Sequence, residues 1–247
     1  MKSCRWLPQI LGRVLKLSEN GPLVLQGGAE FGGQMRDSDI RALELAGGAH
    51  APVRIIPTAA APDNNQARAG QNGVRWFEKL GAKNVTWLLL IDKASANSAD
   101  ICAELLMAKF IYLLGGFTHY LGQTLRGSSG WDAALQAHRN GAVIAGSSAG
   151  SMVLCEYYFD PGAGRIEQGL NLVPNALVLP HYNAFGKSWA PGLLAQMPHL
   201  TLLGLDERTA MLSETGTTDW QVLGQGGVTL YRQGRREIVP AGERFSL

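Results

Sequence analysis

Apolar residues in this chain fall into short continuous runs, and between the runs lie longer stretches where they recur every three or four positions. Pro22-Leu-Val-Leu-Gln26 is the first run, leaving through Gly27-Gly28-Ala29-Glu30. Asp37-Ser38 then caps a helix carrying Ile40, Leu43 and Leu45, which Gly47-Gly48 stops. Val53-Arg-Ile-Ile56 reads as a second strand closed by Pro57, and residues 64–80 as a helix with Val74, Phe77 and Leu80 on one stripe, ended by Gly81. Val85 to Ile91 is apolar throughout, the pattern of a strand buried on both faces. A helix over 98–108, a strand at Phe110-Ile-Tyr-Leu-Leu114, a helix over 131–138 and a strand at Ala142-Val-Ile-Ala145 complete the alternation.

Strands alternating with helices predict an α/β fold, a mostly parallel sheet covered on both faces by right-handed crossovers. Ligands gather at the carboxyl ends of the strands in such sheets. The glycine turns at Gly27-Gly28, Gly115-Gly116 and Gly146 all follow strands, so they are expected on one rim. Later in the chain, residues 171–180 deliver His181-Tyr182, and residues 199–205 form a short strand ending in Asp206-Glu207-Arg208. Glycine-punctuated strands at 210–213, 220–223, 228–232 and 237–239 read as an antiparallel C-terminal extension of the sheet.

The last strand of the alternating part runs into Gly146-Ser-Ser-Ala-Gly-Ser151 and then into a helix through Met152, Val153 and Leu154. This is a G-x-S-x-G pattern in the order strand, sharp turn, helix, which projects a serine hydroxyl from the strand ends. Ser148 is the candidate nucleophile. A flexible cap or a phosphate cradle at a helix N-terminus would use the same residue types, so the rest of the chain has to decide.

Composition narrows the field. The chain has 247 residues, 46% of them hydrophobic, and no linker or repeat divides it; it reads as an N-terminal extension over 1–20 and a single domain over 21–247. Net charge is +2 with acids and bases interspersed, which argues against a nucleic-acid or membrane partner. Arg232-Gln-Gly-Arg-Arg236 reads as a solvated hairpin. Cys4, Cys102 and Cys155 are too few and scattered for a disulfide framework or a zinc site and fit a reducing cytoplasm. Pro8 breaks the only apolar run near the N-terminus, against a signal peptide, and no segment approaches the ~20 residues of a membrane span.

A serine nucleophile needs a base, and the base needs a third group to hold its tautomer. Of five histidines, His50 and His138 sit at ordinary surface positions, His199 starts a strand, and His119 follows one by a few residues. His181 ends an apolar run just after Pro180 and is the expected base. For the acid, Glu207 lies just past a strand end and Asp160 soon after the nucleophile helix, and residue positions alone do not separate them. Oxyanion donors are expected from the N–H of Ala149 and of Gly116. Cys155 is a rival nucleophile in name only, since its position along the helix turns it to the core, where thiols are inert.

These residues carry a resemblance. Gly146–Ser151, with Gly27-Gly-Ala-Glu30, Leu114-Gly-Gly-Phe-Thr118, Pro180-His181 and Leu203-Gly-Leu-Asp-Glu-Arg-Thr-Ala210, resembles the serine peptidase family of cyanophycinase and aspartyl dipeptidase (dipeptidase E), from about position 21 to the end. The resemblance implies a three-layer sandwich of the class I glutamine amidotransferase-like type, with Ser148 as nucleophile, His181 as base and Glu207 as acid. In the dipeptidase branch the acid instead falls near Asp160; the run 205–210 is the better match, which favours Glu207. Family members act on peptides with aspartyl residues, α-linked at an N-terminus or β-linked to arginine. No cofactor or metal is implied; a small peptide is the expected partner, and a homodimer is left open. Phe117 departs from the polar residue common after the paired glycines, and the chain lacks an obvious match to residues that recognise substrate carboxylates. That departure keeps a second expectation on the page, a non-catalytic binding protein that retains the pocket. A glutamine amidotransferase subunit is disfavoured, because serine and not cysteine holds the nucleophile position.

Overall fold

The computed structural model describes residues 20–214 and 218–247. The expected N-terminal extension, with Cys4 and Pro8, lies outside the described residues except for Asn20. The alternating part comprises β1 (Leu23–Gln26), α1 (Arg36–Leu45), β2 (Val53–Ile56), α2 (Gln66–Lys79), β3 (Val85–Trp87), α3 (Ala99–Met107), β4 (Phe110–Leu113), α4 (Thr118–Leu125), α5 (Ser129–Arg139), β5 (Val143–Ser147) and α6 (Ala149–Leu154). After it come β6 (Tyr157–Asp160), β7 (Arg165–Gln168), β8 (Ala176–Leu179), α7 (Ala190–Gln196), β9 (Thr201–Leu205), β10 (Thr209–Ser213), β11 (Asp219–Gly224), β12 (Gly227–Arg232), β13 (Arg235–Pro240) and β14 (Arg244–Ser246).

The central sheet has eight strands in the order β14-β11-β10-β1-β5-β4-β2-β3. The five strands of the alternating part pair in parallel, while β10, β11 and β14 add to β1 antiparallel. Successive side chains of a strand point to opposite faces, and this divides the core. Leu23, Leu25, Ile111, Leu113 and Ile144 pack on one face with Leu121, Trp131 and Met152 of α4, α5 and α6. Val24, Phe110, Tyr112, Val143 and Ala145 pack on the other with Leu43 of α1 and Phe77 of α2. Both faces are therefore covered, and the α/β sandwich expected from the sequence is the observed fold.

Three features differ from the expectation. The apolar run 85–91 forms only a three-residue strand at the sheet edge, and Leu89 is 58% exposed; the chain leaves the sheet once Leu88 donates its N–H to Ile55, and Leu88 and Leu90 turn into the core. The C-terminal strands do not all extend the central sheet. β12 and β13 join β9 and β8 in a second sheet of order β13-β12-β9-β8, in which β8 and β9 run parallel. An isolated glycine-rich strand carries no mark of which edge it will meet, so this division is a long-range outcome. Finally, His138 is buried, with Nδ1 2.9 Å from the carbonyl of Ala142, and not a surface residue. The hairpin at Arg232–Arg236 forms as expected, turning through Gln233 and Gly234, both with positive φ. Among the described residues no helix is long and apolar enough to cross a membrane.

Candidate active site

Parallel pairing sets β1, β5 and β4 side by side, so the turns that follow them share one rim. Ser148 stands at the middle turn with φ 50° and ψ −111°, a conformation that non-glycine residues seldom adopt. The glycines around it are demanded by packing. A Cβ on Gly146 would lie 2.4 Å from the Gly150 carbonyl carbon, and one on Gly150 would lie 2.3 Å from the Leu113 carbonyl oxygen. The turn is held from β1: Ser148 donates its N–H to the Gln26 carbonyl at 3.0 Å, and the Ser151 hydroxyl accepts the Gln26 N–H at 2.8 Å. Ser147 donates its hydroxyl to Glu30 at 2.9 Å.

His181 comes from the other sheet. It follows β8, with φ 47°, and is fixed through its backbone: its N–H donates to the Gly27 carbonyl at 2.7 Å, and its carbonyl accepts the N–H groups of Ala184, Phe185 and Gly186. Its ring lies over Gly28, where a Cβ would sit 2.2 Å from Cε1, and stacks on Phe185 with centroids 4.9 Å apart. Nε2 is 3.0 Å from Ser148 Oγ, and Nδ1 is 2.8 Å from Glu207 Oε1. Glu207 sits where the chain passes from β9 of the second sheet into β10 of the central one, and its N–H donates to the Asn183 side chain at 2.9 Å.

Of the two carboxylates considered, Glu207 thus faces His181. Asp160, at the end of β6, lies 4.0 Å from Nδ1 of His119 instead, and that nitrogen is 3.1 Å from the Tyr158 hydroxyl. Gly115 brings its turn against the serine: a Cβ there would lie 3.2 Å from Ser148 Cβ. Gly116 has φ 136°, and a Cβ on it would meet the Ala59 carbonyl oxygen at 2.3 Å, so only glycine fits. Ala149 is the first residue of α6, where a helix N–H has no partner one turn back, and Gly116 makes no N–H hydrogen bond among the described residues. Cys155 lies just past the end of α6, and burial pushes its thiol up to about 12, which leaves it a protonated, inert core residue.

Behind the serine turn lies a polar group that sequence reasoning missed. The Gln26 side chain donates to Asp39 at 2.6 Å and accepts from the Tyr112 hydroxyl, while Trp76 Nε1 donates to the other Asp39 oxygen at 2.7 Å. Asp39 is wholly buried, and that desolvation raises its pKa to about 7 despite both hydrogen bonds. The signal available was a polar residue ending an otherwise apolar strand. Phe185 and Asn183, which support His181 and Glu207, gave none. Among the described residues no group of three His, Cys, Asp or Glu side chains converges as a metal site requires.

Comparison with known proteins places the chain among peptidases. The chain is 28% identical over 243 residues to a cyanophycinase of Trichormus variabilis, covering 91% of this chain and 79% of the relative. It is 27% identical over 222 residues to a cyanophycinase of Synechococcus elongatus, covering 85% and 67%. A crystal structure of a peptidase from an acI-B1 Actinobacterium superposes with a TM-score of 0.82 at 28% identity, covering 94% of this chain and 98% of that one. A putative peptidase E protein from Listeria monocytogenes shares the fold, with a TM-score of 0.58 at 21% identity over 86% of this chain and 98% of the other. The model of Peptidase family S51 matches residues 23–220, a span that takes in Ser148, His181 and Glu207, and the chain accordingly belongs to that family and is a serine peptidase.

Proposed function

We propose that this peptidase cleaves short aspartyl or β-aspartyl peptides through an acyl-enzyme on Ser148, with His181 as general base and acid and Glu207 as the acid of the triad. The observation that carries the reading is the continuous hydrogen-bonded line from Ser148 Oγ through both ring nitrogens of His181 to Glu207, at 3.0 and 2.8 Å. His181 Nε2 takes the hydroxyl proton as Oγ attacks the scissile carbonyl, and Glu207 stabilises the imidazolium that results. The N–H groups of Ala149 and Gly116 receive the developing oxyanion. The proton then passes from Nε2 to the leaving amine, the carbon–nitrogen bond breaks, and water repeats the sequence to free Ser148.

The substrate class rests on the cyanophycinase relatives and on the motifs shared with the aspartyl peptidases. The reaction calls for no metal or organic cofactor, and the partner is a small peptide in the cytoplasm. Incubation with aspartyl and β-aspartyl dipeptides, followed by detection of the released amino acids, tests the proposal. Ser148→Ala is expected to lower turnover by on the order of 10⁴ or more. A folded Ser148→Ala variant that still cleaves at the wild-type rate refutes it.

A further inference from the structure

Two clefts open on either side of Phe117, and Gly116 borders both. One, of about 340 Å³, presents Glu30, Asp63, Asn65 and Asn72. The other, of about 510 Å³, is walled by Pro62, Phe117, Tyr120 and Pro161, with His119 and Asp160 at its side. Phe117 is 48% exposed and Tyr120 37%; among the described residues Phe185, beside His181, is the other exposed large ring. Asp160 is turned to His119 and accepts the Gly162 N–H at 3.0 Å, so hydrocarbon and ring faces dominate this second cleft. Gly115, which lines the first cleft, packs against Ser148, where a Cβ on it would lie 3.2 Å from the serine Cβ, and Gly116, the next residue, borders both clefts.

We infer that Phe117 is a specificity-determining residue that separates two subsites, and that the cleft it forms with Tyr120 takes a bulky apolar side chain on the leaving residue of the substrate. The assignment follows from charge and polarity. An aspartyl or β-aspartyl residue brings a free ammonium group, which suits Glu30 and Asp63, and a free carboxylate, which the amides of Asn65 and Asn72 in the same cleft can receive; the residue on the other side of the scissile bond is left to the apolar cleft. A side-chain carboxylate on that leaving residue would be desolvated there without a counter-ion, and a glycine would leave the ring faces in water.

This inference rests on the hydrolase reading, and one experiment separates the two. Aspartyl and β-aspartyl dipeptides whose second residue is Gly, Leu, Phe, Arg or Asp are supplied to the wild type and to Phe117→Ala and Tyr120→Ala, both changes at exposed rings that the core does not need. The expected kcat/KM for the Leu or Phe peptide exceeds that for Gly by roughly 10- to 100-fold, the value of burying one such side chain. Phe117→Ala is expected to lower that ratio at least about fivefold, with Tyr120→Ala acting in the same direction. A ratio near one, a preference for Arg or Asp, or a ratio that Phe117→Ala leaves unchanged overturns the cleft assignment while leaving the hydrolase intact. Turnover of none of the peptides by folded wild type overturns both.

Discussion

Replacing Glu207 by Gln tests the triad where the sequence left two carboxylates in play. The substitution keeps the side chain's shape and an oxygen for His181 Nδ1–H, removes the charge, and puts an amide N–H donor in place of the second oxygen. With Oε1 2.8 Å from Nδ1, the two charge centres in the imidazolium state stand about 4 Å apart, which at an effective dielectric of about 20 is worth about 4 kcal/mol. The Glu207 side chain is 36% exposed, and water at that surface screens the interaction to about half. Loss of tautomer selection adds to the charge effect, since a carboxamide can present its N–H group to the imidazole. Together these amount to a rate loss of about 10²- to 10³-fold. The assay is the rate of covalent labelling of Ser148 by a small fluorophosphonate, followed by intact mass, which reads nucleophile activation without depending on any peptide subsite. Asp160→Asn, whose carboxylate is 4.0 Å from His119 and not bonded to His181, should label within about threefold of wild type. Equal losses in the two variants, or a larger loss in Asp160→Asn, would refute the assignment and move the acid to β6.

Two further outcomes follow from packing and burial. Gly150→Ala places a Cβ 2.3 Å from the Leu113 carbonyl oxygen and should cost about 2–3 kcal/mol in a denaturant titration, because both α6 and β4 are held by the core; a loss below about 0.5 kcal/mol would mean that the contact relaxes freely. Asp39 has a folded-state pKa raised to about 7 from the ordinary 3.8, so between those values the folded protein holds a proton that the unfolded chain releases. Stability should therefore fall as pH rises from about 4 to 7, by at most about 4 kcal/mol from this residue, and Asp39→Asn should remove that share of the slope. An unchanged slope in the variant would show that Asp39 does not titrate in this window.

The alternation of strands and helices was legible because it depends on periodicities of two and 3.6 within short windows, which any local reading samples. The turn at Ser148 was legible for a related reason: so sharp a strand-to-helix turn needs glycines two residues away on either side, and those stand in the chain as Gly146 and Gly150. The run 85–91 misled the same reasoning, because continuous apolarity describes burial and not pairing. Only the edge position of β3 explains why Leu89 faces water while Leu88 and Leu90 do not.

The sequence by itself determined the class of fold, the residue at the strand-to-helix turn and the short list of its partners, since each of these is written in neighbouring positions. What only the tertiary structure decided is which partner faces which. His181 and Glu207 leave two adjacent parallel strands of the second sheet, β8 and β9, and reach Ser148 because the chain crosses from β9 into the central sheet at β10. Asp160 closes the β6–β7 hairpin and is carried to His119. Both carboxylates have the same local chemistry, and strand pairing across tens of residues, which no short window contains, sends one to the histidine and the other away from it.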